Sequence, residues 1–370
     1  MRSTLSAVKR ILLETPMFLA FVLMGLPFYT WIRLSGRWTG LIFWPFWLIT
    51  TGALMISYMT PWKKVRAAMH LWGEACFWVC IYISIAFYIR LFILAAAGLF
   101  GANITPDIRL YSGWTAIFAC ALFYLAGVLN AMRVKTVHFM LKAPVMKKIR
   151  IVFLSDLHLG AFTTDNMLPH ILRAVKKESP DAVLIGGDIF DMEISELRDR
   201  EKKKAQLSEL CAAAKTFVCL GNHDMLTAEP EHDEWIKDSG ITVLKDEAVK
   251  LSDVTVFGRR DVHDGERKPT EGLKHLRSEA PLIILDHNPR DYRENFSLGA
   301  FLTLSGHTHG GQTFPGNIAQ KIFMKTPVYG HLTEGGKHLI VTSGAGFWGP
   351  PLRIGTNNEI WSIDIIPADN

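Results

Sequence analysis

Five short turns carry the residues of this 370-residue chain that could do chemistry, and each follows an apolar, strand-like run. Asp156-Leu157-His158 follows the run 149–154, and Gly186-Gly187-Asp188 follows 182–185. Gly221-Asn222-His223-Asp224 follows 216–220, Asp286-His287-Asn288-Pro289 follows 282–285, and Gly306-His307-Thr308-His309 follows 300–304. Singly, each is ordinary turn chemistry. Together they place carboxylates, imidazoles and one amide at the carboxyl ends of strands, where open α/β sheets collect their ligands. His307 and His309 are two apart in an extended segment, so their rings point the same way. Carboxylates mixed with imidazoles and an amide oxygen suit divalent manganese, iron or zinc better than calcium or a thiolate zinc site. The donors outnumber what one catalytic ion with an open position needs. Two ions about 3.5–4 Å apart, sharing one carboxylate, would clamp the attacking and leaving oxygens of a phosphoryl group. Asp188, which stands between the other turns in sequence, is the expected bridge.

The elements that must hold these turns are legible nearby. Apolar residues predict an amphipathic helix from about Asn166 to Lys177, stopped before Pro180. A second, highly charged helix is expected from Ile194 to Lys215, with further strands at 241–244, 254–257, 339–342 and 360–365. The order Asp-x-His, Gly-Asp-x-x-Asp, Gly-Asn-His-Asp, His and Gly-His-x-His resembles the calcineurin-like metallophosphoesterase superfamily. The stretches SDLHLG, DHNP, GHTHGGQ and GAGFWGPPLRIG are similar to its bacterial membrane-associated branch. The resemblance covers about Lys148 to the C-terminus and implies an α/β fold, the α-β-β-α metallophosphoesterase sandwich. It implies that Asp156, His158, Asp188 and His309 hold one divalent ion and that Asp188, Asn222, His287 and His307 hold a second. Manganese is expected first, with iron or zinc as alternatives. It further implies water attack in line on phosphorus, with His223 stabilising or protonating the leaving oxygen. Asp191 and Asp224 would orient imidazoles or the His223 ring. Arg259 or Arg260 would meet phosphate oxygens or form a salt bridge with Asp261.

The first 135 residues lie outside that resemblance and read as an all-α membrane domain of about four transmembrane helices. Four runs approach the roughly 20 apolar residues that cross a bilayer: Met17 to Ile32, Leu41 to Met59, Leu71 to Ile89 or slightly beyond, and Trp114 to Met132. Residues 136–147 read as a basic juxtamembrane linker, and 148–370 as the catalytic domain. Lys and Arg concentrate before the first run, between the second and third, and after the fourth, which favours both termini in the cytoplasm. The expectation is an integral protein of a bacterial inner membrane with its catalytic domain cytoplasmic. Glu74 and Arg90 interrupt the apolar runs, either snorkelling to an interface or pairing within the membrane. The net charge of +5 is modest and gathers at the membrane edges, so no nucleic-acid partner is expected. The five cysteines lack metal-ligand spacing and read as reduced thiols.

A catalytic domain tied to a bilayer points to membrane lipids as partners and to a phosphodiester or pyrophosphate bond in a lipid-linked, UDP-diacylglucosamine-like substrate. Lys321-Ile322-Phe323-Met324-Lys325 sets apolar residues between basic ones as a membrane-dipping edge would, and Phe347-Trp348 could wall an acyl-chain groove. The alternatives are a tethered phosphodiesterase or phosphatase for soluble nucleotides or phosphoproteins, and a non-catalytic scaffold of the same fold. The scaffold reading is disfavoured because every ligand of the motif set, and His223, is present.

Overall fold

The computed structural model describes residues 22–33, 43–50, 52–53, 63–160, 167–226, 232–276 and 281–368. It divides into two units, Met1–Ala126 and Gly127–Asn370. In the first unit, two helices contain stretches long and apolar enough to cross a membrane, Cys76–Leu99 and Pro106–Ala131, and a shorter apolar helix spans Val22–Ile32. Much of the first two expected spans lies outside the described residues, so four crossings are not established. The third and fourth apolar runs fall on helices with longer bounds. One continuous helix covers Lys63–Leu99. The next begins at Pro106, eight residues before the expected start, because proline is pre-organised for a first helical position and Thr105 Oγ1 accepts from Ile108 N–H.

The second unit is built on twelve strands: β1 Val134–Ala143, β2 Ile149–Leu154, β3 Ala182–Ile185, β4 Lys215–Val218, β5 Thr242–Val243, β6 Glu247–Leu251, β7 Val254–Gly258, β8 Leu282–Leu285, β9 Ala300–Ser305, β10 Gly330–Glu334, β11 Lys337–Val341 and β12 Asn358–Pro367. They form two six-stranded sheets, ordered β1-β12-β2-β3-β4-β5 and β10-β11-β9-β8-β7-β6. The side-chain period of two explains the layering. Ile151 and Phe153 of β2, with Ala182 and Leu184 of β3, join Ile283, Leu285, Leu302 and Leu304 in the core between the sheets. The alternate residues Val152, Leu154, Val183 and Ile185 pack instead with Leu168, Ile171, Leu172 and Val175 of the helix Met167–Glu178. Strands buried on both faces are continuously apolar, which is why these runs stand out in the sequence. Helices also cover the second sheet: Tyr292 and Phe296 pack on Leu339 and Val341. The expected α-β-β-α sandwich is therefore present.

Two segments differ from expectation. Residues 136–147, expected as a linker, mostly belong to β1, which pairs in parallel with β12 from Val134↔Asn358 to Ala143↔Pro367. Its side chains are mostly exposed or half-buried, with Leu141 and Ala143 buried, and three lysine and histidine positions masked the strand pattern. The expected charged helix at 194–215 is split into a 3₁₀ turn, Ile194–Glu196, and a helix, Arg200–Ala213, separated where Asp199 adopts φ 53°.

Strands β2, β3 and β4 run parallel in one sheet, and β7, β8 and β9 run parallel in the other. Each set sends its carboxyl-terminal turns to one edge. These turns bring the sequence's candidate residues together.

Candidate active site

Three groups of donor atoms form at that edge, each with its atoms within 4.8 Å of one another: Asp156, His158 and His309; Asp188, His287 and His307; and His158, Asp191 and His223. Asp188 belongs to the second group and reaches toward the first. Its Oδ2 is 3.1 Å from His287 Nε2 and 3.8 Å from His158 Nε2, while its Oδ1 accepts from the backbone N–H of His223 at 2.8 Å. Asp156 Oδ1 is 3.4 Å from His309 Nε2. Asn222 Oδ1 is 2.8 Å from His307 Nδ1, which brings the amide to the second group. All seven candidate ligands and His223 thus converge.

The backbone is bent to achieve this. Asp156, His158, Asp188, His307 and His309 all have positive φ, from 45° to 71°. Non-glycine residues rarely adopt that region, and it costs about 1–3 kcal/mol at each. Strain of this kind persists where the surrounding packing over-determines it, and it clusters at functional sites. Close packing does so here. A Cβ on Gly306 would lie 2.1 Å from Ser155 Oγ and 2.3 Å from Asp156 Oδ2. At Gly187, φ is +91° and a Cβ would lie 2.7 Å from Gly221 N and 2.9 Å from His287 Nδ1. The glycines before Asp188 therefore admit a neighbouring turn and an imidazole, which press the carboxylate into place.

Tautomers show what the cluster lacks. His287 Nδ1–H donates to Gly186 O at 2.7 Å, which leaves its Nε2, 3.1 Å from Asp188 Oδ2, as the position that takes either a proton or a metal ion. That buried Nε2 has no hydrogen-bond partner. Likewise His158 Nδ1–H donates to Asp191, and its Nε2 faces His309 Nε2 at 2.9 Å. Arg353 Nη2 donates to His309 Nδ1 at 3.3 Å, so His309 carries its proton on Nε2 and shares it with His158 in the metal-free chain. The carboxylates and ring nitrogens gathered within 4.8 Å are donor types that fit manganese, iron or zinc.

Protons compete for the same places. Burial opposes charging His287, but Asp188 outweighs it and holds the imidazole well above its ordinary pKa. Against the cost of its own burial, Asp188 is held far below the carboxylate range by His287, then by His158 and His223. The raised pKa of His287 sets the sign of a pH effect. In the metal-free protein this ion pair stabilises the fold fully below the ordinary imidazole value of about 6.5, and that contribution is lost as pH rises through the raised value. Metal-free thermal stability should accordingly decline above neutrality, whereas metal uptake should tighten with pH and release protons. Titration calorimetry with Mn²⁺ in buffers of different ionisation enthalpy checks this; heats independent of buffer would contradict it.

The supporting residues divide into expected and corrected. Asp191 acts as expected: its Oδ1 accepts from His223 Nδ1 at 2.8 Å and from His158 Nδ1 at 3.3 Å. Asp224 does not orient an imidazole. It is fully buried and accepts from the backbone N–H groups of Ile189, Phe190 and Gly221, tying two of the site's turns together. Neither Arg259 nor Arg260 pairs with Asp261. Arg259 is buried against Asn295 and Arg260 binds Asp264 and Glu266, so both are structural. Arg353 is the residue that sequence reading misses. It is 1% exposed and donates to His309 O, Ser343 O, Gly346 O and Asn358 Oδ1, locking the loop that presents His309. Burial lowers its pKa to about 10, so it stays charged at neutral pH. A lone arginine between prolines and a glycine gave no signal of this.

A family model described as calcineurin-like phosphoesterase matches residues 149–311, the span that supplies every residue of the cluster. Similar proteins include a metallophosphoesterase of Campylobacter jejuni, 31% identical over 74% of this chain and 74% of its own length. The phosphodiesterase YaeI of Escherichia coli is 30% identical over 59% of this chain and 82% of its own. A metallophosphoesterase of Helicobacter pylori strain J99 is 32% identical over 60% of this chain, and the chain spans only 61% of that relative's length. The chain belongs to the calcineurin-like metallophosphoesterase family.

Proposed function

We propose that this protein is a membrane-anchored, dinuclear-metal phosphoesterase that hydrolyses a phosphodiester or pyrophosphate bond. The observation that carries this reading is the pair of donor groups that Asp188 links, with His223 beside them on the shared carboxylate Asp191. Asp156, His158, His309 and Asp188 would hold one ion, and Asp188, Asn222, His287 and His307 the other. When bound, divalent cations supply an acidified water and neutralise phosphoryl charge. The chain's own residues do the rest. Asp188 holds the two donor groups in register, Asp191 accepts from Nδ1–H of both His158 and His223, and His223, when protonated on both nitrogens, would give its Nε2 proton to the leaving oxygen and return to the Nδ1–H form that Asp191 holds.

The proposed substrate is lipid-linked, of the UDP-diacylglucosamine type, reached at the cytoplasmic face that the Lys and Arg distribution favours. Support comes from the helix Gly316–Phe323, which begins five residues after Gly311, and whose Asn317 backbone packs against that glycine. None of its residues is buried; Ile322 is 67% and Phe323 80% exposed, beside Lys321 and Lys325. Apolar side chains between basic ones, held next to a metal loop, suit an anionic lipid surface. Trp348, 42% exposed, is tied by its backbone to Gln312 of the same loop. Phe347 does not share the role expected for it, because it is buried in the core. The YaeI name makes a phosphodiester the first bond to test.

The test is turnover by the purified full-length chain with Mn²⁺, assayed on bis-p-nitrophenyl phosphate and on a bacterial lipid extract followed by mass spectrometry. Consumption of a lipid phosphodiester or pyrophosphate is expected. Phe323→Glu should leave the soluble reaction intact and slow the lipid reaction about tenfold or more, from the lost burial of one aromatic side chain. Rapid turnover of a soluble nucleotide with no lipid consumed would replace the lipid reading by the soluble one.

A further inference from the structure

Arg90 is an intramembrane oddity that phosphoesterase chemistry leaves unexplained. It lies within the apolar stretch Cys76–Leu99, about two and a half turns from its end. Its guanidinium donates to Ser112 Oγ at 2.9 Å and to the carbonyl of Arg109 at 2.5 Å, both neutral acceptors. Arg90 and Arg109 line one cavity of about 460 Å³, walled by Trp31, Leu91, Leu94 and Ile104 among others. Neither guanidinium has a carboxylate within ion-pair distance among the described residues, and Arg109 is exposed.

The composition of the unit leaves few candidates for a counter-ion. Residues 1–126 contain three acidic residues, Glu14, Glu74 and Asp107. Glu14 lies outside the described residues. Glu74 precedes Arg90 by sixteen positions on one helix, roughly 24 Å along its axis, too far for an ion pair. Asp107 lies in the first turn of the helix that carries Arg109 and pairs with neither arginine. A cation in an apolar environment is costly unless an anion or strong acceptors meet it, and intramembrane charges of this kind mark binding sites. Two arginines lining one cavity offer the charge that a phosphate needs, and the aliphatic and indole walls match a hydrocarbon chain.

We infer that this cavity is a binding site for the phosphate of an anionic phospholipid, with part of its acyl chain against Leu91, Leu94 and Trp31. It is distinct from the proposed active site and needs no metal. The occupant is a lipid rather than free phosphate, because the cavity opens in the unit that carries the apolar helices and most of its wall is apolar.

Native mass spectrometry of the full-length chain in detergent tests this, titrating dioleoyl phosphatidylglycerol against dioleoyl phosphatidylcholine. One phosphatidylglycerol should bind in preference. Arg109→Gln, an exposed substitution safe for folding, should weaken it about tenfold, and Arg90→Gln with Arg109→Gln should abolish the preference. Both variants should keep wild-type turnover of bis-p-nitrophenyl phosphate, which also shows that they fold. Equal phosphatidylglycerol binding by wild type and Arg109→Gln would overturn the inference, as would equal binding of the two lipids by the wild type. Displacement of the bound lipid by millimolar inorganic phosphate would overturn the assignment to a lipid.

Discussion

Asp188→Asn is expected to abolish stable binding of both metals and to reduce turnover to the background of the metal-free chain. The reason lies in what each oxygen of Asp188 does. Oδ1 accepts from His223 N–H, and Oδ2 faces Nε2 of His287 while reaching toward His158. An asparagine that keeps the first bond turns its NH₂ toward His287 Nε2. That nitrogen then has a donor from within the protein, and the electrostatic demand for a cation disappears. The substitution is isosteric, so the chain should still fold, but the metal-free protein should lose the stability that the Asp188–His287 pair supplies near and below neutral pH. Metal analysis beside a thermal melt checks the result. A folded Asp188→Asn protein that still carries two ions would show that Asp188 is not shared.

His223→Ala should produce the second-largest effect by a different route. Its ring is not needed in either donor group around Asp188, so both metals should stay. The rate should fall roughly 10²–10⁴-fold, the usual share of acid–base assistance. The loss should be greater for a diester with an alkyl leaving group than for p-nitrophenolate, which departs without protonation. Asp191 would keep its contact with His158, so the first metal group should remain ordered. Comparison of the two leaving groups, with metal content measured in parallel, separates this role from a structural one. Equal losses on both would remove His223 from proton transfer.

The catalytic half was legible because its strands are buried on both faces and end in polar turns. Continuous apolar runs at 182–185 and 282–285, and mostly apolar ones at 149–154 and 300–304, located the strands, and the turns after them located the ligands. Other features depend on contacts between distant parts of the chain. Strand β1 carries Lys135, His138 and Lys142 out of phase with one another, so it reads as a linker until β12, more than 200 residues later, pairs with it. Arg353 is isolated in sequence, and its partners His309, Ser343, Gly346 and Asn358 meet only in the folded loops. Asp224 was visible as a polar residue beside Asn222, but its three backbone partners were not, so its task was misread. The left-handed backbone at five ligands has no sequence signature when the residues are aspartate and histidine rather than glycine. Arg90 stands out in the sequence as a charge in an apolar run, while the cavity it shares with Arg109 is visible only in the structure.

Counting metal ions per folded chain tests the central claim most directly. The purified full-length protein, stripped with chelator and reloaded with Mn²⁺, should bind two ions per chain and regain phosphodiester hydrolysis only as the second site fills. A saturated protein holding one ion or none, or one hydrolysing the diester equally well after stripping, would contradict a two-metal centre organised around Asp188.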